Sequence, residues 1–218
     1  MKFKKLKLYT NRLEAELAFY SQRLGLPLIN RDAKSFTIKI GWSELSFEKS
    51  EKQHRYHYCF LIPSNKLKEA LLWMEQKTEL IEIEAGRKIQ NFETWNADSF
   101  YFFDASGNIA EFIVRYDLEN MSDQAFDQTS ILAINEMGMP SNNVSALNHQ
   151  LETQINSKFW KGDLERFATN GTQEGLLLLP NYALKSDWFP SNIRMKAEPF
   201  EALISQGSAL YNLSLIHI

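Results

Sequence analysis

A histidine and a carboxylate on two apolar segments are the residues best suited to chemistry in this chain. His57 lies in the segment His-Tyr-Cys-Phe-Leu-Ile, and Glu111 lies in the segment Ile-Ala-Glu-Phe-Ile-Val. Successive side chains of a strand point to opposite faces, so His57 shares a face with Cys59, while Glu111 points away from both of its neighbours. An imidazole and a carboxylate that met on one surface would suit Mn²⁺, Fe²⁺, Ni²⁺ or Zn²⁺.

Signatures of other common chemistries are missing from the sequence. There is no Gly-rich phosphate loop, no Ser-His-Asp arrangement and no HExxH motif. The single cysteine, Cys59, excludes a disulfide within the chain and a cysteine-rich zinc site. Cys59 could be a nucleophile, but a small residue lining a cavity is the more ordinary role for a thiol on an apolar strand.

Composition and charge indicate a folded protein without a nucleic-acid surface. Of 218 residues, 44% are hydrophobic and 13% aromatic, which is ample for a core. The formal net charge is -3 and no basic stripe is sustained, so we expect no binding to nucleic acid. The first residues have no apolar signal core, and no apolar run approaches the ~18 residues of a membrane span. We therefore expect a cytoplasmic protein with a small-molecule ligand and no membrane partner, for which a homodimer is one option.

The elements that must position these residues repeat along the chain. Three times, an apolar segment of period two is followed by a segment with helical spacing and then by further short strands. The repeats begin at the predicted strands 3–9, 56–62 and 131–137. The first two repeats each predict a βαβββ module.

The third repeat is less complete than the first two. Its predicted helix begins near Val144, and two strands, 165–169 and 176–179, are expected around an Asn170-Gly171 turn. Beyond them, only the extended segments 200–204 and 210–216 follow, without a clear fourth helix. The predicted domains are residues 1–118, with two modules, and residues 130–218, an incomplete second domain, joined by the polar linker 119–129.

Two regions resemble the vicinal-oxygen-chelate family, which includes glyoxalases, bleomycin-resistance and fosfomycin-resistance proteins, and extradiol dioxygenases. One comprises Leu8-Tyr9-Thr10, Leu17-Ala18-Phe19-Tyr20 and Leu24-Gly25-Leu26. The more specific one is a strand, an Asp-x-x-Gly-Asn turn and a returning strand over residues 100–113. Together with residues 57–63, the resemblance covers residues 3–116 well and residues 131–205 in outline.

The resemblance implies an α+β fold in which paired βαβββ modules form a curled mixed sheet around a cleft, with helices on the convex side. We expect the first and second modules to face each other across that cleft. Members that use a metal take ligands from the first and last strands of paired modules, and His57 and Glu111 match two of these positions. Glu136, on the first strand of the third module, lies at about the corresponding position, where it could be a ligand of a second site or could complete the first if the two domains pack closely. Lys5 stands where the family usually has His or Gln, and Ser46 would be a weak ligand.

Each candidate also has a plainer explanation. His57 could be a hydrogen-bonded strand histidine, and Glu136 could be a solvated residue at a strand end. Glu111 could pair with Lys5 or Lys7, so that an ammonium takes the place of the cation. Of the aromatic residues, Tyr9 and Tyr101 are predicted to contact substrate together with Lys5 and Cys59. The predicted site thus comprises the metal ligands His57, Glu111 and Glu136 and those four substrate contacts.

Two functional hypotheses follow from these residues and the resemblance. The first is a glyoxalase-like or dioxygenase-like enzyme that acts on a small oxygen-bearing substrate through a divalent metal. The alternative is a metal-free protein of the same fold that sequesters a small aromatic or antibiotic-like molecule, as bleomycin-resistance proteins do. Fold alone does not choose between them. Within the enzyme class, the sequence does not separate isomerisation, ring cleavage and thiol addition.

Overall fold

The computed structural model describes residues 1–215, which form two β-sheets with helices packed on them. In chain order the strands and α-helices are β1 (Lys2–Thr10), α1 (Leu13–Leu17), β2 (Leu28–Arg31), β3 (Ser35–Ile40), β4 (Ser43–Lys49), β5 (His57–Leu61), α2 (Leu67–Glu75), β6 (Leu80–Ile81), β7 (Gln90–Phe92), β8 (Ala97–Phe103), β9 (Ile109–Arg115), β10 (Ala133–Gly138), α3 (Val144–Ile155), β11 (Phe159–Asp163), β12 (Phe167–Thr172), β13 (Gly175–Pro180), β14 (Phe200–Gln206) and β15 (Ala209–Ser214). None of the helices in this part of the chain has the length and apolar character needed to cross a membrane. The end of the predicted segment 210–216, at Ile216, lies outside the described residues.

The first module follows the predicted order of elements. In β1, Leu6 and Leu8 are fully buried while Lys5 is exposed, which is the alternation expected of a strand with one buried face. The helix that begins at Leu13 continues beyond α1 as a π-helical segment over Ala18–Arg23. Gly25 then stops it with a φ of +75°, a conformation that glycine adopts without a Cβ penalty.

Pairing between the modules differs from the expectation. The six-stranded sheet has the order β15-β14-β1-β4-β3-β2, so the first module pairs with the last hairpin rather than with the second module. The nine-stranded sheet has the order β11-β12-β13-β10-β5-β9-β8-β6, with β7 beside β8, so the second module pairs with the third through antiparallel β5 and β10. The expected pairing of modules one and two is therefore wrong. Taken by itself, each module has an unpaired edge on its first strand. The local sequence does not specify which other strand will pair with that edge.

Both sheets contain strands from either side of the predicted linker 119–129. The division of the chain into domains at this linker stays a prediction. The fold class itself is confirmed: the molecule is α+β, with mixed sheets that do not close into a barrel.

The two faces of β5 and β9 are sorted as strand parity predicts. Tyr58, Phe60 and Phe112 are buried in the main core together with Ala70 and Met74 of α2. The opposite face carries a separate apolar cluster that includes Cys59, Leu61 and Ile113. The helix side and the cleft side of this sheet are thus as expected from the alternation of apolar residues.

The third module contains one strand that sequence patterns did not predict, β11. The expected turn at Asn170-Gly171 is also wrong, because both residues lie within β12 and the chain turns at Gln173 and Glu174. Asn170 is fully buried, and its Nδ2 donates a hydrogen bond to Asn148 Oδ1 at 2.8 Å. This buried amide pair fixes Asn170 in the sheet, where the pattern alone indicated a turn.

The two sheets meet at the turn between β3 and β4. Gly41, with φ +48°, brings the turn so close to β10 that an added Cβ would lie 1.7 Å from the carbonyl oxygen of Leu132. The next amide, of Trp42, donates to that same oxygen at 3.0 Å. Ser43 Oγ accepts from the amide of Ile134 at 3.1 Å and so joins β4 to β10.

Candidate metal centre in the nine-stranded sheet

His57, Glu111 and Glu136 come together on three adjacent strands. The central strand, β5, supplies His57 as its first residue, while Glu111 comes from β9 and Glu136 from β10. One potential ligand atom of each residue lies within 4.8 Å of the other two, and all three side chains are buried. His57 Nε2 is 3.1 Å from Glu111 Oε2. The register explains the meeting, because Cys59 is the cross-strand partner of both glutamates.

An irregularity in β10 aims Glu136 at this point. The register between β10 and β5 shifts between Ile134 and Glu136, so Asn135 is an extra residue, as in a β-bulge. The bulge lets two consecutive side chains reach one guanidinium. Arg115 Nε donates to Asn135 Oδ1 at 2.9 Å, and Arg115 Nη2 donates to Glu136 Oε1.

Arg115 is fully buried, and its guanidinium packs against two neighbouring indole rings. Its guanidinium carbon is 5.7 Å from the ring centre of Trp95 and 5.6 Å from that of Trp160, both within cation-π range. Arg115 is not among the residues predicted from the sequence. The available signal was a basic residue at the end of a strand, β9, whose other residues are apolar apart from Glu111, since a buried arginine needs a charged partner.

This centre contains two buried carboxylates, Glu111 and Glu136, and one buried guanidinium, which pairs with Glu136. Burial, and next the charge of Glu111, raise the pKa of Glu136 to about 8, while Arg115 acts in the opposite direction. Burial also raises the pKa of the Cys59 thiol well above its ordinary value, with smaller contributions from Glu111 and Glu136. Cys59 therefore stays protonated, which is unfavourable for a nucleophile.

The three candidate ligands open onto a cavity of about 190 Å³. Its walls are largely aromatic and include Trp95, Tyr101, Trp188 and Phe189. The volume is below the ~300–1,000 Å³ typical of pockets for drug-sized ligands, so a compact molecule fits best. A larger depression of about 750 Å³ lies beside α1, but none of the three candidate ligands lines it.

The structure brings some predicted substrate contacts to this cavity and separates others from it. Tyr101 lines the cavity, with its ring centre 6.1 Å from that of His57. Cys59 is on the same face of the sheet but packs in the apolar cluster with Leu61 and does not line the cavity. Lys5 and Tyr9 lie in the other sheet. Their roles in substrate binding stay predictions.

The predicted pair of Lys5 with Glu111 is wrong. Lys5 Nζ contacts Glu44 Oε2 at 2.9 Å, because β1 belongs to the six-stranded sheet and lies beside β4 there. Tyr9, on the same strand, donates its hydroxyl hydrogen bond to Glu201 Oε1 at 2.6 Å. The expectation that Glu136 is a solvated strand-end residue is also wrong, since only 2% of it is exposed.

The six-stranded sheet carries a counterpart of the candidate metal centre in which a lysine supplies the positive charge. Lys7 is the cross-strand partner of Ser46 and Glu201, just as Cys59 is of Glu111 and Glu136. Glu201 thus corresponds to Glu136, and Ser46 to Glu111. Lys7 Nζ lies 2.5 Å from Glu201 Oε1. The ammonium that was expected to replace the cation is therefore present, but in the other sheet.

No protein-family model matches this chain, and no curated protein gives a significant match. Solved structures do match it. One is a proposed dioxygenase from Bacillus subtilis, with a TM-score of 0.61, 15% sequence identity, and coverage of 83% of this chain and 64% of that one. Another is a glyoxalase I variant from Zea mays, with a TM-score of 0.56, 11% identity, and coverage of 82% and 67%. The chain has the vicinal-oxygen-chelate fold.

At these identities, likeness establishes the vicinal-oxygen-chelate fold alone, since one fold hosts several chemistries. The matched part of this chain corresponds to about two thirds of each of the two longer proteins. The expected family resemblance is confirmed at the level of the fold. Within this vicinal-oxygen-chelate fold, the modules that bring His57, Glu111 and Glu136 together are the second and the third.

Proposed function

We propose that this chain is a metal-dependent enzyme that holds one divalent cation through His57, Glu111 and Glu136 and acts on a compact, oxygen-bearing substrate. The observation that carries the proposal is the convergence of three buried donor atoms within 4.8 Å. Three protein ligands with further positions open are usual in catalytic sites. A mixed imidazole and carboxylate set suits Mn²⁺, Fe²⁺, Ni²⁺ or Zn²⁺.

The charges of the centre fit a cation. Glu111 and Glu136 are both buried and are opposed by one guanidinium, that of Arg115. Burying an uncompensated carboxylate is costly, and a divalent ion would offset that cost. When bound, the ion would act as a Lewis acid toward adjacent substrate oxygens.

The remaining residues of the cleft have separate tasks in this proposal. Arg115 holds Glu136 by an ion pair, and Asn135 holds Arg115 by a hydrogen bond. The aromatic walls, among them Tyr101 and Trp188, exclude water and offer flat surfaces to a planar substrate. The small cavity favours a molecule of about one ring over a larger conjugate.

A second candidate function is a metal-free binding protein that sequesters a compact aromatic molecule. The ion pair of Arg115 with Glu136 favours it, because this pair already neutralises one of the two carboxylates. His57 and Glu111 would then form a hydrogen-bonded pair at the base of the cavity. The two functions differ in whether the protein takes up metal.

Metal content separates the two candidates. Protein purified without a histidine tag is analysed for metals and titrated with Mn²⁺, Fe²⁺, Ni²⁺ and Zn²⁺ by calorimetry, alongside Glu111→Gln. The matched control is Glu201→Gln, which changes the residue at the position corresponding to Glu136 in the other sheet. We expect about one equivalent in wild type and in the control, and at least a tenfold weaker affinity in Glu111→Gln, because a lost ligand leaves only two. Less than about a tenth of an equivalent in all three would overturn the metal-dependent function.

Substrate chelation needs its own test. Acetohydroxamate presents two adjacent oxygens on a small molecule, and we expect it to bind wild-type protein loaded with Zn²⁺ and not the metal-free protein. Binding that is equal with and without metal would instead support the metal-free function. Product analysis with catechols under O₂, with thiol adducts of 2-oxoaldehydes, and with a small epoxide plus a thiol then distinguishes ring cleavage, isomerisation and thiol addition.

A further inference from the structure

Residues 181–199, which connect β13 to β14, form a strap across the mouth of the cleft. Backbone hydrogen bonds hold the strap in a tight loop. The amide of Trp188 donates to the carbonyl of Ile193 at 2.8 Å, and the carbonyl of Trp188 accepts from the amide of Ser191, also at 2.8 Å. The amide of Met195 donates to the carbonyl of Ser186 at 2.7 Å. Trp188 is therefore fixed through both groups of its own backbone.

The indole of Trp188 stacks on the imidazole of His57. The ring centres are 5.0 Å apart and the planes are inclined by 28°, and each residue is only 5% exposed. The indole also presses on β10, because a Cβ on Gly138 would lie 2.4 Å from Trp188 Cη2. Only glycine at residue 138 leaves room for this ring between the strap and the sheet.

His57 lacks the usual support for a metal-binding imidazole. A ligating histidine normally donates its second ring N–H to a carboxylate or a carbonyl, which sets the orientation of the ring. His57 Nδ1 is buried and has no hydrogen-bond acceptor among residues 1–215. Its Nε2 faces Glu111, and the face of the ring is covered by Trp188. Stacking is thus the contact that restrains the side of the ring away from the carboxylates.

We propose that Trp188 is a positioning residue for the metal centre, holding the His57 ring in the orientation that presents Nε2 to Glu111 and Glu136. The effect on metal binding rests on the proposed function, whereas the orientation of the His57 ring rests on the observed stack with Trp188. Removing the indole would free the imidazole to rotate about its side-chain torsions, since no hydrogen bond to Nδ1 opposes that rotation. In the intact protein, the stack of Trp188 on His57 couples the strap directly to the candidate metal centre.

Metal binding to Trp188→Ala and Trp188→Phe tests the positioning role. We expect Trp188→Ala to bind Co²⁺ at least about tenfold more weakly, the size of effect seen when support of a ligand is lost, and to show an altered visible absorption spectrum of the bound ion. Trp188→Phe keeps a stacking ring and should restore both affinity and spectrum. The matched control is Leu184→Ala, which alters an exposed residue of the same strap that does not line the cavity and should leave affinity and spectrum unchanged. Wild-type affinity and spectrum in Trp188→Ala would overturn the proposal.

Nuclear magnetic resonance of the metal-free protein gives a readout that does not depend on metal uptake. The ring protons of His57 should be shifted upfield by the indole in wild type and should move downfield in Trp188→Ala and in Gly138→Ala. Gly138→Ala displaces the indole without changing either ring, and thermal unfolding checks that each variant is folded. Unchanged His57 resonances in both variants would refute the positioning role. Absence of metal uptake by wild type, with the resonances moving as expected, would refute the proposed function alone.

Discussion

Arg115 and Glu136 form an ion pair across an intervening strand, with neither side chain more than 2% exposed. Arg115 ends β9 and Glu136 lies on β10, and β5 runs between these two strands. The guanidinium therefore links the second and third modules over the cleft face of the strand that carries His57. Its only described ionic partner is Glu136.

Breaking this pair should be strongly destabilising. At about pH 9, above the pKa of Glu136, we expect Arg115→Met to lower the free energy of unfolding by about 3–5 kcal/mol, because a buried carboxylate is left uncompensated. Urea denaturation of wild type and variant measures this difference in the free energy of unfolding. The matched variant Lys7→Met breaks the corresponding pair with Glu201, whose side chains are 30% and 38% exposed, and should cost about 1 kcal/mol or less. Equal losses in the two variants would contradict this difference in burial.

Protonation of Glu16 should make stability depend on pH. Burial, and next the charge of Asp104, raise the pKa of Glu16 well above its ordinary 4.5. A carboxyl with a raised pKa contributes stability that is fully present below its unfolded pKa and is lost as pH rises through the folded value. Stability should thus fall from about pH 5 upward, and Glu16→Gln should flatten that decline. Glu14→Gln, an exposed neighbour on α1, is the control and should leave the slope unchanged.

Cys59 should be unreactive in the folded protein. Its thiol is completely buried, and burial is the largest cause of its raised pKa. We expect no alkylation by iodoacetamide at pH 8 in native conditions and complete alkylation in denaturant, followed by mass spectrometry. Rapid labelling of the native protein would show that the cleft face of β5 opens readily to solvent.

Gly41 should tolerate no side chain. Gly41→Ala places a Cβ against the carbonyl of Leu132 and should lower the free energy of unfolding by about 3 kcal/mol or more. Gly86→Ala is matched in backbone geometry, with φ +77°, but a Cβ there meets nothing within 4 Å. Gly86→Ala should lower the free energy of unfolding only by the ~1–2 kcal/mol that the left-handed conformation costs a residue with a Cβ. Similar thermal shifts in the two variants would show that contact between the sheets matters little.

Strand parity and turn chemistry were sufficient to predict the local geometry of the site. Alternation in β5 and β9 correctly sorted the cleft face from the helix face, and it put His57 and Glu111 on the same side. The turn after Asp104 was also predicted from its residue types. In the structure Gly107 adopts φ +79° there, and Asp104 Oδ1 accepts a hydrogen bond from the amide of Asn108. These features depend on interactions between residues close in sequence, which is why they can be read from it.

The partners of each module could not be predicted in the same way. Lys5 does occupy the position that corresponds to His57, but its strand pairs with β14, so the two residues lie in different sheets. Which strand pairs with β1 depends on long-range packing, such as the close approach of Gly41 to Leu132. Trp188 was missed because the strap has no repeating pattern, and its role depends on a contact with a residue far away in sequence.

The pairing of β1 with β14 has a consequence for how the protein folds. These strands come from opposite ends of the described chain, so their pairing has a high contact order. The entropy cost of closing the loop between them must be met before their hydrogen bonds stabilise the sheet. During synthesis, one edge of β1 stays unpaired until β14 has left the ribosome. An unpaired edge of this kind is a template for association with other chains. The six-stranded sheet is therefore the part of the molecule most exposed to misassembly before synthesis ends, whereas β5, β9 and β10 are all available much earlier.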